Sequence, residues 1–184
     1  RYSEDEIIIF VNNLWDYMLT QMPYDQIIPG ADNATLEELL QWTADVTAPF
    51  TPDYWYEEMH GLSDSTGIEY KQILHMHMIP SLIQAGHCSM YGANGISTEY
   101  SLNGKLIQLR ALDWDVVPAF TDYPGITVYH PANNNGHSFL NIGFIGFIGT
   151  ITGISSKNCG VGWIGVSFPD STFGNMSRIG YPYI

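Results

Sequence analysis

The stretch Gly86-His87-Cys88-Ser89-Met90-Tyr91-Gly92 divides the sequence into two parts of different character. Before it, apolar residues recur at helical spacing, and after it the pattern is that of strands. We therefore predict that residues 1–87 are helical and that residues 88–184 are rich in strands. Helices followed by an antiparallel sheet favour the α+β class.

Cys88 lies at this boundary and is one of two cysteines in the chain. A thiol is a useful nucleophile only as thiolate, so it needs a nearby base or positive charge and a group that orients this partner. On the predicted next strand, Arg110 could supply the charge and Asp113 the orientation. If the chain were cut just before Cys88, its freed α-amine could act as the base.

The sequence allows other roles for the Cys88 thiol. Cys88 could be a buried structural residue, or it could form a disulfide with Cys159. A Cys-His protease would instead use His130 or His137 as base, which requires one of these imidazoles within hydrogen-bonding distance of the thiol.

Asp113 and Asp115 lie on one face of a strand, as the paired carboxylates of a glycosidase would. Asp115 could equally be a solvated loop residue before Pro118. The glycine-rich segment 143–149 is not a phosphate loop, because it lacks the Lys-Ser/Thr ending and no predicted helix follows it.

The helical part contains two residue patterns that could form binding sites. His75 and His77 are two residues apart, so on a helix they face different directions, and we predict no metal site there. The aromatic run 54–56 could form the wall of a ligand site, but such clusters more often belong to the core.

Composition limits the range of functions. A chain of 184 residues with 45% hydrophobic residues is long enough for one domain with a substantial core. Its 6 Lys and Arg against 19 Asp and Glu give a net charge of −13, which repels phosphate backbones. We therefore expect no nucleic-acid partner. No window resembles a signal peptide or a transmembrane segment.

Two N-glycosylation sequons, at Asn33 and Asn175, favour a secreted or lysosomal glycoprotein. The acidic, Lys-poor composition is in keeping with this expectation.

Local signals predict where the helices begin and end. Ser3-Glu4-Asp5-Glu6 is a capping box for a first helix that ends by Pro23. Asp32 or Asn33 is expected to cap a second helix, and a third helical stretch is expected over residues 66–80.

The strand-rich part contains turn signals at Asn94-Gly95 and at Asn103-Gly104, the second of which predicts a hairpin. The predicted strands cover residues 89–94, 99–101, 106–114, 125–130, 137–148 and 159–168.

The sequence resembles the penicillin acyltransferase-like group of N-terminal nucleophile (Ntn) cysteine hydrolases. Within that group it is most similar to the lysosomal or secreted eukaryotic branch of the Dictyostelium dcd1-type proteins. Cysteine followed by Arg-x-x-Asp is shared with choloylglycine hydrolases and acid ceramidase-like amidases. The resemblance covers roughly residues 81–170 and is carried by Cys88-Ser89-Met90-Tyr91-Gly92, Leu106-Ile107-Gln108-Leu109-Arg110-Ala111-Leu112-Asp113-Trp114-Asp115, Val128-Tyr129-His130-Pro131, Asn135-Gly136-His137 and Thr150-Ile151-Thr152-Gly153-Ile154-Ser155-Ser156.

This resemblance implies a four-layer αββα sandwich and autocatalytic cleavage between His87 and Cys88. Residues 1–87 would then be a small subunit and residues 88–184 the start of the β-rich core. Cys88 would supply both the nucleophile and the α-amine, while Asp113 would hold that amine and Arg110 would lie against the thiolate. No cofactor is implied.

An oxyanion hole is also required, and the resemblance leaves two sources for it. One is the side chain of Asn141, and the other is a backbone N–H near Cys88.

Two departures from the family pattern stand out. The connection from Cys88 to Arg110 spans 22 positions, which indicates an extended hairpin. Only 96 residues follow Cys88, fewer than two stacked sheets with outer helices need. We therefore expect the chain to be incomplete at its C-terminus and to associate with the remaining C-terminal part of the protein.

The function expected from the resemblance is that of an amidohydrolase or acyltransferase acting on a linear amide of a small or lipid-like acyl compound. The alternative is an inactive, uncleaved relative that serves as a binding or structural component. Whether the bond before Cys88 is broken distinguishes the two.

Overall fold

A computed structural model of the chain describes residues 2–21, 34–83, 87–113, 118–132 and 136–164. Within these ranges the fold is α+β, as predicted, with two antiparallel sheets. The α-helices are α1 (Glu4–Gln21), α2 (Leu36–Thr47), α3 (Asp53–Thr66), α4 (Tyr70–Ile83), α5 (Glu99–Leu102) and α6 (Pro118–Asp122). The strands are β1 (His87–Ala93), β2 (Ile107–Asp113), β3 (Pro124–Tyr129), β4 (Phe139–Phe144), β5 (Thr152–Ser155) and β6 (Gly160–Gly162).

Capping boxes start the first two helices. The predicted box of α1 is confirmed, because Ser3 N–H donates to the Glu6 carboxylate at 2.7 Å and Glu6 N–H donates to Ser3 Oγ at 3.3 Å. In α2 the cap is Thr35, whose hydroxyl accepts from Glu38 N–H. The prediction that Asp32 or Asn33 caps this helix is therefore wrong.

The observed helices differ from the helical stretch predicted over residues 66–80. Thr66 is the last residue of α3, which ends because Gly67 adopts a left-handed conformation with φ of 70°. The next helix, α4, begins at Tyr70 and continues past Pro80 to Ile83. A proline thus lies inside α4 instead of ending it.

Strands β1 and β2 form an antiparallel hairpin whose register pairs Cys88 with Leu112. The first strand of this hairpin is β1, and not residues 99–101 as the turn signal at Asn103-Gly104 had predicted. Asn103 and Gly104 both have positive φ values, of 51° and 74°, which confirms a turn there. The expected strand at residues 99–101 is wrong, because these residues belong to the short helix α5 at the tip of the hairpin.

The second sheet has the strand order β3-β4-β5-β6, all antiparallel. Strand β4 falls within a predicted segment, β3 begins one residue before its predicted segment, and β5 was not predicted. In the segment 159–168, strand β6 covers only residues 160–162, and residues 165–184 lie outside the described ranges.

The helices and the hairpin lie on opposite faces of the four-stranded sheet. On one face, Tyr129 donates a hydrogen bond to Glu58 of α3 at 3.0 Å. By strand register, Gly160 and Gly162 belong to the other face, where they contact Gln108 and Met90 of the hairpin. The described layers therefore follow the order helices, sheet, hairpin.

Candidate functional site

The hairpin register brings Cys88 and Arg110 together. Met90 pairs with Arg110, and alternate residues of a strand share a face, so Cys88 and Arg110 lie on the same side of the hairpin. Arg110 Nη2 donates to Cys88 Sγ at 3.0 Å. The predicted contact between the guanidinium and the thiol is thus present.

Arg110 also connects the hairpin to the second sheet. The same Nη2 atom donates to the carbonyl oxygen of Trp163, directly after β6, at 3.1 Å. The Nε atom is buried and has no acceptor among the described residues. Because buried donors are nearly always paired, this N–H is available to a group that the described residues do not supply.

Asp113 lies close to Cys88 only through the backbone. Its Cα pairs with that of His87, so the His87–Cys88 peptide lies opposite Leu112 and Asp113. The Asp113 side chain emerges on the face opposite to Arg110 and is exposed. Within the described chain it makes no hydrogen bond to Cys88, although it stands beside the backbone position that a freed α-amine would occupy.

Strand β6 covers the Cys88 face of the hairpin. Gln108 Nε2 donates to the carbonyl oxygen of Val161 at 2.6 Å. A β-carbon placed on Gly160 would overlap Gln108 Oε1, and one on Gly162 would overlap Met90 Sδ. This contact was not predicted from the sequence, although strand alternation alone places Gln108 on the face of Arg110.

Both cysteines are free thiols, with Cys88 half-buried and Cys159 exposed. The disulfide alternative for Cys88 is therefore wrong. The Cys-His alternative receives no support either, because His130 Nδ1 is paired with Ser138 Oγ at 3.1 Å. Neither His130 nor His137 hydrogen-bonds to Cys88 in the described residues.

Asn141 lies on β4 and is almost fully buried. Strand register places it on the face of the sheet opposite to Gly160 and Gly162, and hence opposite to the hairpin. Its side chain therefore points away from Cys88, which gives no support to Asn141 as the oxyanion donor. Its Oδ1 atom is buried without a partner among the described residues.

His75 and His77 face different directions on α4, as predicted. His75 Nε2 is paired with Gln41 Oε1 at 3.0 Å, and burial lowers the pKa of His75. His77 contacts Ile148, before β5. Among the described residues no group of three or more His, Cys, Asp or Glu side chains is arranged to hold a metal ion.

The aromatic run 54–56 lies on α3 and is divided between core and surface. Trp55 and Tyr56 pack against the core, whereas Tyr54 is exposed. Asp115 and both sequon residues, Asn33 and Asn175, lie outside the described residues.

Comparison with known proteins gives two relatives from Dictyostelium discoideum. Protein dcd1A is 37% identical over 96% of this chain, and protein dcd1B is 43% identical over 64% of it. The chain is homologous to the dcd1 proteins. It spans only 40% of the length of dcd1A, and the match to dcd1B covers 23% of that protein.

No protein-family model matches the chain. None of the helices in the described ranges has the length and apolar composition needed to cross a membrane.

Proposed function

We propose that this chain is part of an Ntn cysteine amidohydrolase or acyltransferase that cuts its own backbone before Cys88. The observation that carries the proposal is the 3.0 Å hydrogen bond from Arg110 to Cys88 Sγ. A guanidinium in this position stabilises the thiolate, which is the nucleophilic form of cysteine. The family resemblance of the Cys88 and Arg110 segments supports the same chemistry.

In the proposed cleavage, Cys88 Sγ attacks the carbonyl carbon of His87 and the C–N bond between the two residues breaks. The acyl group of His87 moves to sulfur as a thioester, and the nitrogen of Cys88 takes up protons to become a free α-amine. Water then hydrolyses the thioester, which releases the carboxylate of His87 and restores the thiol. Asp113 stands beside the new amine and would hold it by a charge-assisted hydrogen bond.

The mature site would use the same thiol on a linear amide of a small or lipid-like acyl compound. The α-amine would accept the thiol proton, and the thiolate would attack the amide carbonyl carbon to form a thioester. The amide C–N bond would break as the α-ammonium returns that proton to the leaving amine. Water or a second acceptor would then take the acyl group and restore the thiol. The buried Nε–H of Arg110 has no acceptor among the described residues, so in the complete site it would donate to a group outside them. A backbone N–H near Cys88 remains the candidate for the oxyanion hole.

The protein would be a secretory or lysosomal glycoprotein that carries sugars at Asn33 and Asn175. Its complete fold would be the αββα sandwich, of which the helices, the four-stranded sheet and the hairpin would be three layers. The relatives are much longer than this chain, which supports association with a further part of the protein.

Mass spectrometry of the purified protein tests the cleavage. We expect a fragment that begins at Cys88, its loss in Cys88→Ala, and its retention in the matched control Cys159→Ala. An uncut chain in the unsubstituted protein contradicts the proposal. That result would favour the second candidate, an inactive relative that binds without catalysis.

A further inference from the structure

We propose that Gln108 is a positioning residue that sets the approach of Arg110 to Cys88; this inference rests on the proposed function. Gln108 and Arg110 are two residues apart on β2 and share its inner face. Their acceptors, the carbonyl oxygens of Val161 and Trp163, are also two residues apart. The two side chains therefore hold the hairpin against β6 through two hydrogen bonds, and the two-residue spacing of the donors equals that of the acceptors.

The second support for this role is the shape of β6. Gly160 has no side chain where Gln108 Oε1 lies, and a β-carbon there would displace the amide from Val161. Gly162 leaves the equivalent space to Met90. Two glycines on one face of a three-residue strand thus allow the close approach that both hydrogen bonds need.

The link to Cys88 follows from the shared Nη2 atom of Arg110. This atom donates both to Cys88 Sγ and to the Trp163 carbonyl oxygen, so its position relative to sulfur depends on where β6 lies. Gln108 fixes β6 through a bond that does not involve Arg110. Without that bond, β6 would be held to the hairpin by one hydrogen bond fewer among the described residues, and the contact of Arg110 with the thiol would loosen.

The test measures the alkylation rate of Cys88 by iodoacetamide against pH, in a Cys159→Ser background so that only one thiol reacts. Gln108→Met keeps the length of the side chain but removes the amide donor. We expect alkylation at pH 6.5 to slow by about three- to tenfold, the factor typical for loss of one hydrogen bond. Gly160→Ala, which keeps Gln108 but displaces its amide, should act in the same direction.

Gln72→Met is the matched control, because Gln72 Nε2 donates to Asn12 Oδ1 on the helical side of the molecule. It should leave the rate and the profile unchanged. Arg110→Met should slow alkylation more than Gln108→Met does.

An unchanged or faster rate in both Gln108→Met and Gly160→Ala, with a slower rate in Arg110→Met, overturns the positioning role. The proposed function is unaffected by that result, because cleavage before Cys88 is measured separately by mass. An unchanged rate in Arg110→Met overturns the role of the guanidinium and, with it, this inference.

Discussion

His77 is a fully buried imidazole whose two nitrogens are both in use. Its Nδ1–H donates to the carbonyl oxygen of Ile73 at 2.8 Å, and its Nε2 accepts from Ile148 N–H at 3.0 Å. A proton on Nε2 would face another donor and bring an unpaired charge into the core. Burial accordingly lowers the pKa of His77 to about 4.

This geometry predicts how stability depends on pH. Because the pKa of His77 is lower in the folded than in the unfolded chain, its contribution is complete above about pH 6.5 and is lost as the pH falls through about 4. The loss is on the order of 3 kcal/mol at the acid end. In His77→Gln, which can still accept from Ile148 but does not titrate, this part of the pH dependence should disappear.

Urea unfolding at several pH values between 7 and 4 measures the effect. His60→Gln is the control, because His60 is exposed and stacks on Tyr70, which packs against the core from its surface. Parallel stability curves for the unsubstituted protein and His77→Gln would show that His77 is not responsible.

At the scale of single residues, the sequence predicted part of the candidate site. The proximity of Cys88 and Arg110 could be predicted from strand alternation and a hairpin turn. The contact of Arg110 with the Trp163 carbonyl oxygen could not be predicted, because every residue type supplies the same backbone acceptor. The choice between Asn141 and a backbone N–H for the oxyanion hole stayed open, because nothing in the sequence tells which face of β4 points to the hairpin.

Among the elements, α2 gives a clear prediction about capping. In unglycosylated protein, Thr35→Ala should lower the free energy of unfolding by about 1 kcal/mol, because Glu38 N–H loses its acceptor. Denaturant titration checks this value. Thr35→Ser keeps the capping hydroxyl and should restore stability.

Thr20→Ala serves as the comparison for that experiment. Thr20 Oγ1 donates to the Asp16 carbonyl oxygen within α1, so its loss should change stability by less than about 0.5 kcal/mol. Equal losses in Thr20→Ala and Thr35→Ala would argue against the capping box.

Element boundaries were predictable where a local signal acts alone, as in the box at Ser3 and Glu6. They were not predictable where two signals compete. The segment 99–101 follows a turn signal and precedes another, which favoured a strand. Its backbone instead closes a helical turn, in which Asn103 N–H donates to Glu99 O at 3.1 Å.

For the molecule as a whole, one core joins the helical part to the strand-rich part. Phe10 of α1 is fully buried, and its ring lies 5.9 Å from that of Phe120 and 6.1 Å from that of Phe147. Phe10→Ala should therefore lower the free energy of unfolding by about 3–5 kcal/mol, as a large-to-small change in a core does.

Denaturant unfolding measures this loss. Phe50→Ala is the control, because Phe50 is exposed, and it should change stability by less than about 0.5 kcal/mol. Similar losses in the two variants would mean that residues 2–21 do not share a core with the sheets.

The close approach at Gly160 and Gly162 lies on β6, at one edge of the four-stranded sheet. On the same face of the sheet, Ile126, Val128 and Ile142 are exposed, so the hairpin leaves β3 and β4 bare. The hairpin and the sheet therefore touch at β6, while β3 and β4 present branched aliphatic side chains to water on the same side. A segment that covered these strands would gain on the order of 1.5–3 kcal/mol for each such side chain that it buried fully.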